Sequence, residues 1–310
     1  MSMTTVRTVR AMVTLFAALT LVAGCASTSS PPTTRPERAA DDSVFYYEDD
    51  GTPAGAGYTY AETRGVQASH VKLDWGREAD YVYRFDSQVR TWIPDRFSDE
   101  WLHRNTVSGP TGWVLGTPEQ MAAQGIEEHQ AHVGELRARC GDTAAETDRR
   151  EQCTRPPDWH RPSRLFLAAL PTDPRQLHER LVEDTGYAPD QASDILAQVT
   201  AVLKTGIVPE AVRTNLLAAL RVDPGITVTE GVPNFDGVLG TAYTATDTFG
   251  HVTDLIVDPV GNVLIGERVT ITTGARPPVD DVIYTLAPGT LLGHTATSYG
   301  RADHLGEVPV

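Results

Sequence analysis

The stretch Leu255-Ile256-Val257-Asp258-Pro259-Val260-Gly261-Asn262-Val263-Leu264-Ile265-Gly266-Glu267-Arg268 decides the fold class. Two apolar runs rich in β-branched residues flank Asp258 to Asn262, where Asp, Pro, Gly and Asn all favour reversal, so the stretch predicts an antiparallel hairpin. Around it, residues 226–229, 238–246, 251–257 and 263–271 read as strands separated by turns.

Just upstream the apolar period changes from two to that of a helix. Asp173-Pro174 opens a helix carrying Leu177 and Leu181. Ala192, Ile195, Leu196, Val199, Val202 and Leu203 mark a second, which stops at Gly206, and a third runs from Pro209 through Val212, Leu216, Leu217 and Leu220. Further upstream, Thr117 with Gln120 forms a capping box and Pro118 suits the first helical position. The pattern predicts a helix there with Ile126, Val133 and Leu136 on its buried side. Residues 141–162 are charged and Pro-containing and read as a loop.

Residues 44–116 return to period two. Tyr58, Tyr60, Glu62 and Arg64 alternate with smaller residues, Val71, Leu73 and Trp75 do the same, and Tyr81, Tyr83 and Phe85 share one face. Asp86-Ser87-Gln88 predicts a reversal into 89–93, and Ser108-Gly109-Pro110-Thr111-Gly112 a further turn. The order strands, helices, strands predicts an α+β fold: an antiparallel sheet, able to curl into a half-barrel, built from N- and C-terminal strands with the helical segment packed on one face. The expected organisation is one globular domain over 43–275, with 276–310 as a C-terminal extension carrying an edge strand.

The N-terminus reads as an export signal. Basic Arg7 and Arg10 precede an apolar run from Ala11 to Val22, then Ala23 and Gly24 stand before Cys25. The run falls short of the roughly 18–20 residues that cross a bilayer as a helix. Leu21-Val22-Ala23-Gly24-Cys25 resembles the bacterial lipobox, which implies a signal peptide over 1–24 and diacylglycerol on the Cys25 thiol. Residues 25–42, rich in Ser, Thr and Pro, read as a flexible stalk. The expected location is the extracytoplasmic face of the cell membrane, held by lipid.

Formal charge is −15, and loss of Arg7 and Arg10 with the signal takes it to −17. So acidic a chain argues against nucleic acid as a partner and against a basic membrane-binding face. Lysine occurs only at Lys72 and Lys204 while arginine is abundant, a usage typical of high-GC genomes. With Cys25 lipidated, Cys140 and Cys153 form an even pair in an oxidising compartment and predict a disulfide.

Motifs for an acyl-transfer elbow, a phosphate-binding loop or a zinc-protease helix are missing from the sequence, and no cofactor is implied. Glu128, His129, His132 and Glu135 have a metal-like spacing, but placed on a helix they diverge to opposite sides, so no metal site is expected. Glu48-Asp49-Asp50-Gly51 reads as a turn rather than a calcium loop, because Pro53 to Gly57 offer no side-chain oxygens. His103 and His160 would serve a hydrolase only beside a carboxylate. Tyr81, Tyr83, Trp92, Trp101 and Trp113 are the residues expected to line a ligand groove.

Leu170-Pro171-Thr172-Asp173-Pro174, the helix end Leu216-Leu217-Ala218-Ala219-Leu220 before Pro224-Gly225, and the 255–268 hairpin together resemble a functionally uncharacterised family of actinobacterial envelope proteins, over residues 163–271. More distantly, a sheet wrapped over helices is similar to the half-barrel of periplasmic lipoprotein carriers and mycobacterial lipid-binding lipoproteins. That likeness implies an apolar cavity under the sheet. The sequence therefore suggests a non-enzymatic surface lipoprotein with an apolar, lipid-like ligand. An envelope protein-interaction or sensor module is the alternative, and a hydrolase a third reading.

Overall fold

A computed structural model of the chain describes residues 13–14, 52–53, 55–71, 81–143, 153–186, 192–272 and 286–309. The elements are β1 (Val13–Thr14), β2 (Tyr58–Val71), β3 (Tyr81–Pro94), β4 (Glu100–Leu115), α1 (Pro118–Ala123), β5 (His132–Arg139), α2 (Arg164–Ala168), α3 (Pro174–Thr185), α4 (Ala192–Lys204), α5 (Glu210–Leu220), β6 (Thr227–Pro233), β7 (Leu239–Thr246), β8 (His251–Val257), β9 (Leu264–Ile271) and β10 (Leu291–Ala302). The strands lie in the order β5-β4-β3-β2-β10-β9-β8-β7-β6, all pairs antiparallel, and β1 pairs only with the last two residues of β2. The path does not close on itself. The fold is α+β, an open sheet with helices packed on it.

The helices form where local chemistry and burial agree. Asp173 caps α3 by accepting from the amides of Arg175 and Gln176, each at 3.0 Å, and Gly186 ends it in the left-handed region at φ 66°. Along α4, Ile195, Leu196, Val199, Val202 and Leu203 form one buried stripe. It shares a core with Tyr243 and Ala245 of β7, Leu255 and Val257 of β8, and Leu264 of β9. Each such aliphatic side chain contributes roughly 1.5–3 kcal/mol on full burial, before chain entropy is counted.

The C-terminal strand corrects the expectation of an edge. β10 pairs with β2 from Tyr58 to Gln67 on one side and with β9 on the other, so it joins the N-terminal strands to the C-terminal ones. Its Thr, Ala and Gly content suits a tight contact: a Cβ at Gly65 of β2 would sit 2.1 Å from the carbonyl oxygen of His294. The edges are β5 and β6 instead.

Three other expectations also change. β3 runs unbroken through Asp86-Ser87-Gln88, and β4 runs through Ser108 to Gly112; the turn residues accommodate register shifts between β3 and β4 near Phe85 and Pro110. The helix from Thr117 is only α1. Thr117 caps it as expected, but Gly125 follows in the left-handed region at φ 73°, and 132–139 becomes β5. Val133, expected inside, is 66% exposed. The pairing Glu100–Val107 with His132–Arg139 gives β4 a partner along that half, which outweighs a weak helical pattern.

Candidate ligand-binding site

A cleft of about 390 Å³ opens where α2 and the α4–α5 connection meet the ends of β2, β3 and β10. Ile93, Phe97, Trp101, Leu167 and Ile207 supply its apolar wall, while Asp95, Arg164 and Arg301 supply charge. These side chains come from separate parts of the chain, brought together because β10 inserts beside β2.

The apolar wall is held from behind. Trp101 is 1% exposed, donates Nε1–H to the carbonyl of Phe97 at 3.2 Å, and meets the Phe97 ring edge-on at 5.8 Å. Gly141 lies against its indole, and Cys140, next to it, is bonded to Cys153. The expected disulfide is therefore present. Asp142 is fully buried and pairs with Arg155 and, at 3.8 Å, with Arg161. Arg161 also donates to the carbonyls of Cys140 at 3.4 Å and Pro156 at 3.0 Å. The residues after it, Pro162, Ser163 and Arg164, line the cleft. The stapled loop thus supports the wall through Trp101 and leads directly into a second part of it.

On the opposite side, Gly206 adopts φ 71°, and a Cβ there would sit 2.4 Å from Cδ1 of Tyr299. Tyr299 donates its hydroxyl to Leu203 at 3.0 Å, and burial pushes its pKa far upward. This buried contact fixes the end of α4 over β10, and so sets Ile207.

The charged part centres on Asp95. Arg301 Nη1 and Nη2 donate to its two carboxylate oxygens, each at 2.7 Å, and Arg164 Nη2 stands 3.6 Å from Oδ1. The hydrogen bond to Asp95 raises the Arg301 pKa. The Asp95 side chain is 13% exposed, whereas those of Arg301 and Arg164 are 57% and 59% exposed. Each guanidinium therefore turns part of its surface to solvent.

Of the five aromatics expected to line a groove, Trp101 is among the residues of this cleft and the other four stand elsewhere in the fold. Tyr81 and Tyr83 are buried in a cluster with Phe85, Val107, Met121 and Ile126, with Trp113 packed against it. Trp92 points the other way, under the C-terminal segment: it shares a cluster with Tyr60, Leu102 and Ala302, donates to the carbonyl of Glu307 and carries Arg104 over its ring at 5.3 Å. At the core shared by α4 and the strands beneath it, the facing side chains of α4, β7 and β8 are at most 5% exposed.

The other proposed chemistry is not assembled. His103 bonds to the Thr91 hydroxyl at 3.1 Å, and burial pushes its pKa down to about 4; His160 is exposed. His129 and His132 lie on the approach to β5, with rings 4.9 Å apart, and burial, then the His132 field, lowers the His129 pKa. Among the described residues no group of three or more His, Cys, Asp and Glu could hold a metal ion. Cys25, the stalk and Glu48 to Gly51 lie outside the described residues. Among the described residues, no helix is long and apolar enough to cross a membrane.

Sequence reasoning missed Asp95, Arg164, Ile207 and Arg301. No local signal marks them, because the cleft exists only once β10 sits beside β2. No protein family, curated protein or solved structure matches the chain in comparisons with known proteins.

Proposed function

We propose that the protein is a non-enzymatic lipoprotein, tethered to the outer face of the cell membrane through Cys25, that binds a small ligand with an apolar body in the cleft. The cleft carries this reading. Its volume of about 390 Å³ lies at the lower end of the range of roughly 300–1,000 Å³ usual for ligand sites, and it joins an apolar wall to a few fixed polar groups. Among the described residues, the cleft lining holds no histidine beside its carboxylate.

Purification of the chain from its native membranes, with mass spectrometry of bound small molecules, tests the reading. Pro209 is exposed and lines the cleft, so Pro209→Trp obstructs it from outside the core. A species retained by the wild type and absent from Pro209→Trp supports the proposal; identical small-molecule profiles refute it. Separately, Cys25→Ala should leave the membrane fraction or persist as precursor, and unchanged processing and fractionation would overturn the anchor.

The alternative of an interaction module draws on a different surface. Phe235, Val238 and Leu239, around the β6–β7 hairpin, are 39%, 54% and 62% exposed. On that reading, Phe235→Ser with Leu239→Ser removes co-purifying protein and leaves small-molecule retention intact.

A further inference from the structure

We propose that β5 is a self-association edge: a second copy of this chain adds its own β5 antiparallel to it, across a two-fold axis at Leu136, and joins two sheets into one. Of the two edges, β6 is blunted, with Pro233 at its end, Gly231 in the left-handed region at φ 72° and a register shift between Glu230 and Val232. β5 has none of these. Its pairing with β4 is regular from His132 to Arg139, and among the described residues no strand pairs with its other side. The amide of Cys140 donates to the carbonyl of Asp99 at 3.3 Å, in the register that also sets Arg139 opposite Glu100. Bonded pairs alternate along an antiparallel ladder, so Ala138, Leu136 and Gly134 bond to β4, while Arg137, Glu135 and Val133 turn N–H and C=O toward the open edge.

The occupant follows from the order of charges, because the edge is complementary to itself about Leu136. In a two-fold pair centred there, Glu135 of each copy stands opposite the partner's Arg137, and the outward groups of both residues bond across the axis. Registers centred on Glu135 or on Arg137 use the same outward groups but set like charges opposite each other, which disfavours them. Within the chain, Glu135 accepts from Arg104 at 2.9 Å and from Arg137 at 2.7 Å, so both side chains lie on one face, 34% and 48% exposed. A carboxylate has lone pairs for a further donor. On the other face, half-buried Leu136 meets its own copy at the axis, in a non-bonded pair with Cα atoms about 4.5 Å apart. Beside it, Gly134 faces the partner's Ala138, and a Cβ at Gly134 would meet nothing within 4 Å, so small residues flank the leucines. The formal charge of −15 opposes approach at a distance, which leaves this local pairing to hold the two copies.

Cysteine cross-linking of the full chain in its native membranes tests this, with the wild type under the same oxidant as the blank. Leu136→Cys places a thiol on the axis, at a separation that a disulfide spans. Mild oxidation should link two copies several-fold faster in Leu136→Cys than in Gly134→Cys, whose thiols lie off the axis. Glu135→Arg or Arg137→Glu, each added to Leu136→Cys, should slow linkage about tenfold, since two opposed pairs per interface turn from attraction to repulsion. Co-expression of those two variants should restore it, because opposite signs then face each other at both pairs; a misfolded strand would not recover. Equal linkage of Leu136→Cys and Gly134→Cys, linkage in neither, or linkage indifferent to the charge reversals overturns the proposal. So does a cross-linked product that holds another protein in place of a second copy. Sedimentation of the unsubstituted full chain in detergent micelles checks the pairing without any variant: a concentration-dependent pair is expected, and a monomer at every concentration overturns it.

Discussion

Gly141 lies directly on the indole of Trp101: a Cβ built at Gly141 would stand 2.8 Å from Cε3 and 2.9 Å from Cδ2. The glycine also occupies the left-handed region at φ 63°, which costs an L side chain roughly 1–2 kcal/mol. Overpacking a rigid aromatic adds roughly 1–3 kcal/mol. Gly141→Ala should therefore lower stability by about 2–5 kcal/mol in urea unfolding. It should also shift tryptophan fluorescence. Wild-type stability in Gly141→Ala would contradict the packing described.

Trp101 reaches the disulfide through that glycine, so the bond between Cys140 and Cys153 also bears on the cleft. The cysteines are 13 residues apart, and closing such a loop is worth about 3 kcal/mol on the chain-entropy account. The pair Cys140→Ala with Cys153→Ala should lose roughly that amount in urea unfolding. A bonded pair has no thiol, so the chain unfolded in urea without reductant should yield none from Cys140 or Cys153 to a thiol reagent, and both should label once a reductant is added. Labelling of either cysteine in the unfolded, unreduced chain would exclude the bond.

The two arginines on Asp142 should behave differently. Asp142 is fully buried, Arg161 is 9% exposed at the side chain and Arg155 is 51% exposed. Removing the carboxylate leaves Arg161 inside without it, a situation that costs up to roughly 3–5 kcal/mol. Asp158, 3.4 Å from Arg161, offsets part of this, so Asp142→Ala should cost about 2–4 kcal/mol in urea unfolding. Arg155→Ala loses an exposed partner and should cost about 1 kcal/mol or less.

These relationships also mark what the sequence could reveal. The hairpin at 255–268 and the α3–α5 helices were legible because apolar period, caps and turn residues agree locally. The central place of β10 was not, since Thr295, Ala296, Thr297 and Gly300 present no apolar stripe; their partners on β2, Gly65, Arg64, Thr63 and Tyr60, lie far away in sequence. Pro110 reads as a breaker, yet β5 pairs with β4 only from Glu100 to Val107, so at Pro110 no hydrogen bond to β5 is lost. The cleft joins residues 59, 93–101, 162–167, 206–209 and 301, and Trp101 alone stood out in advance. Its charged residues carry no motif. Only the long-range pairing of β2 with β10 places them together.

His103 gives the fold a defined acid sensitivity. Burial pushes its pKa down from 6.5 to about 4, and its Nδ1 shares a hydrogen bond with the Thr91 hydroxyl on the adjacent strand. The folded state thus prefers the neutral ring, while the unfolded chain takes a proton near the ordinary value. As pH falls below about 6.5, the unfolded state gains protons first, so stability declines through the interval down to about 4. Above 6.5 the effect vanishes, because both states are neutral. Each tenfold difference in proton affinity between the two states is worth about 1.4 kcal/mol, so the loss by about pH 4.5 is about 2–3 kcal/mol. Carboxylates such as Glu62, whose pKa is lowered by hydrogen bonds from Tyr60, Arg90 and Gln88 against the cost of burial, lose their contribution at still lower pH. His103→Gln retains a hydrogen-bonding group beside Thr91 and removes the titration. Urea midpoints at about pH 7 and about pH 4.5 should therefore lie closer together in His103→Gln than in the wild type, and equal spacing in the two proteins would show that His103 is not the group being protonated.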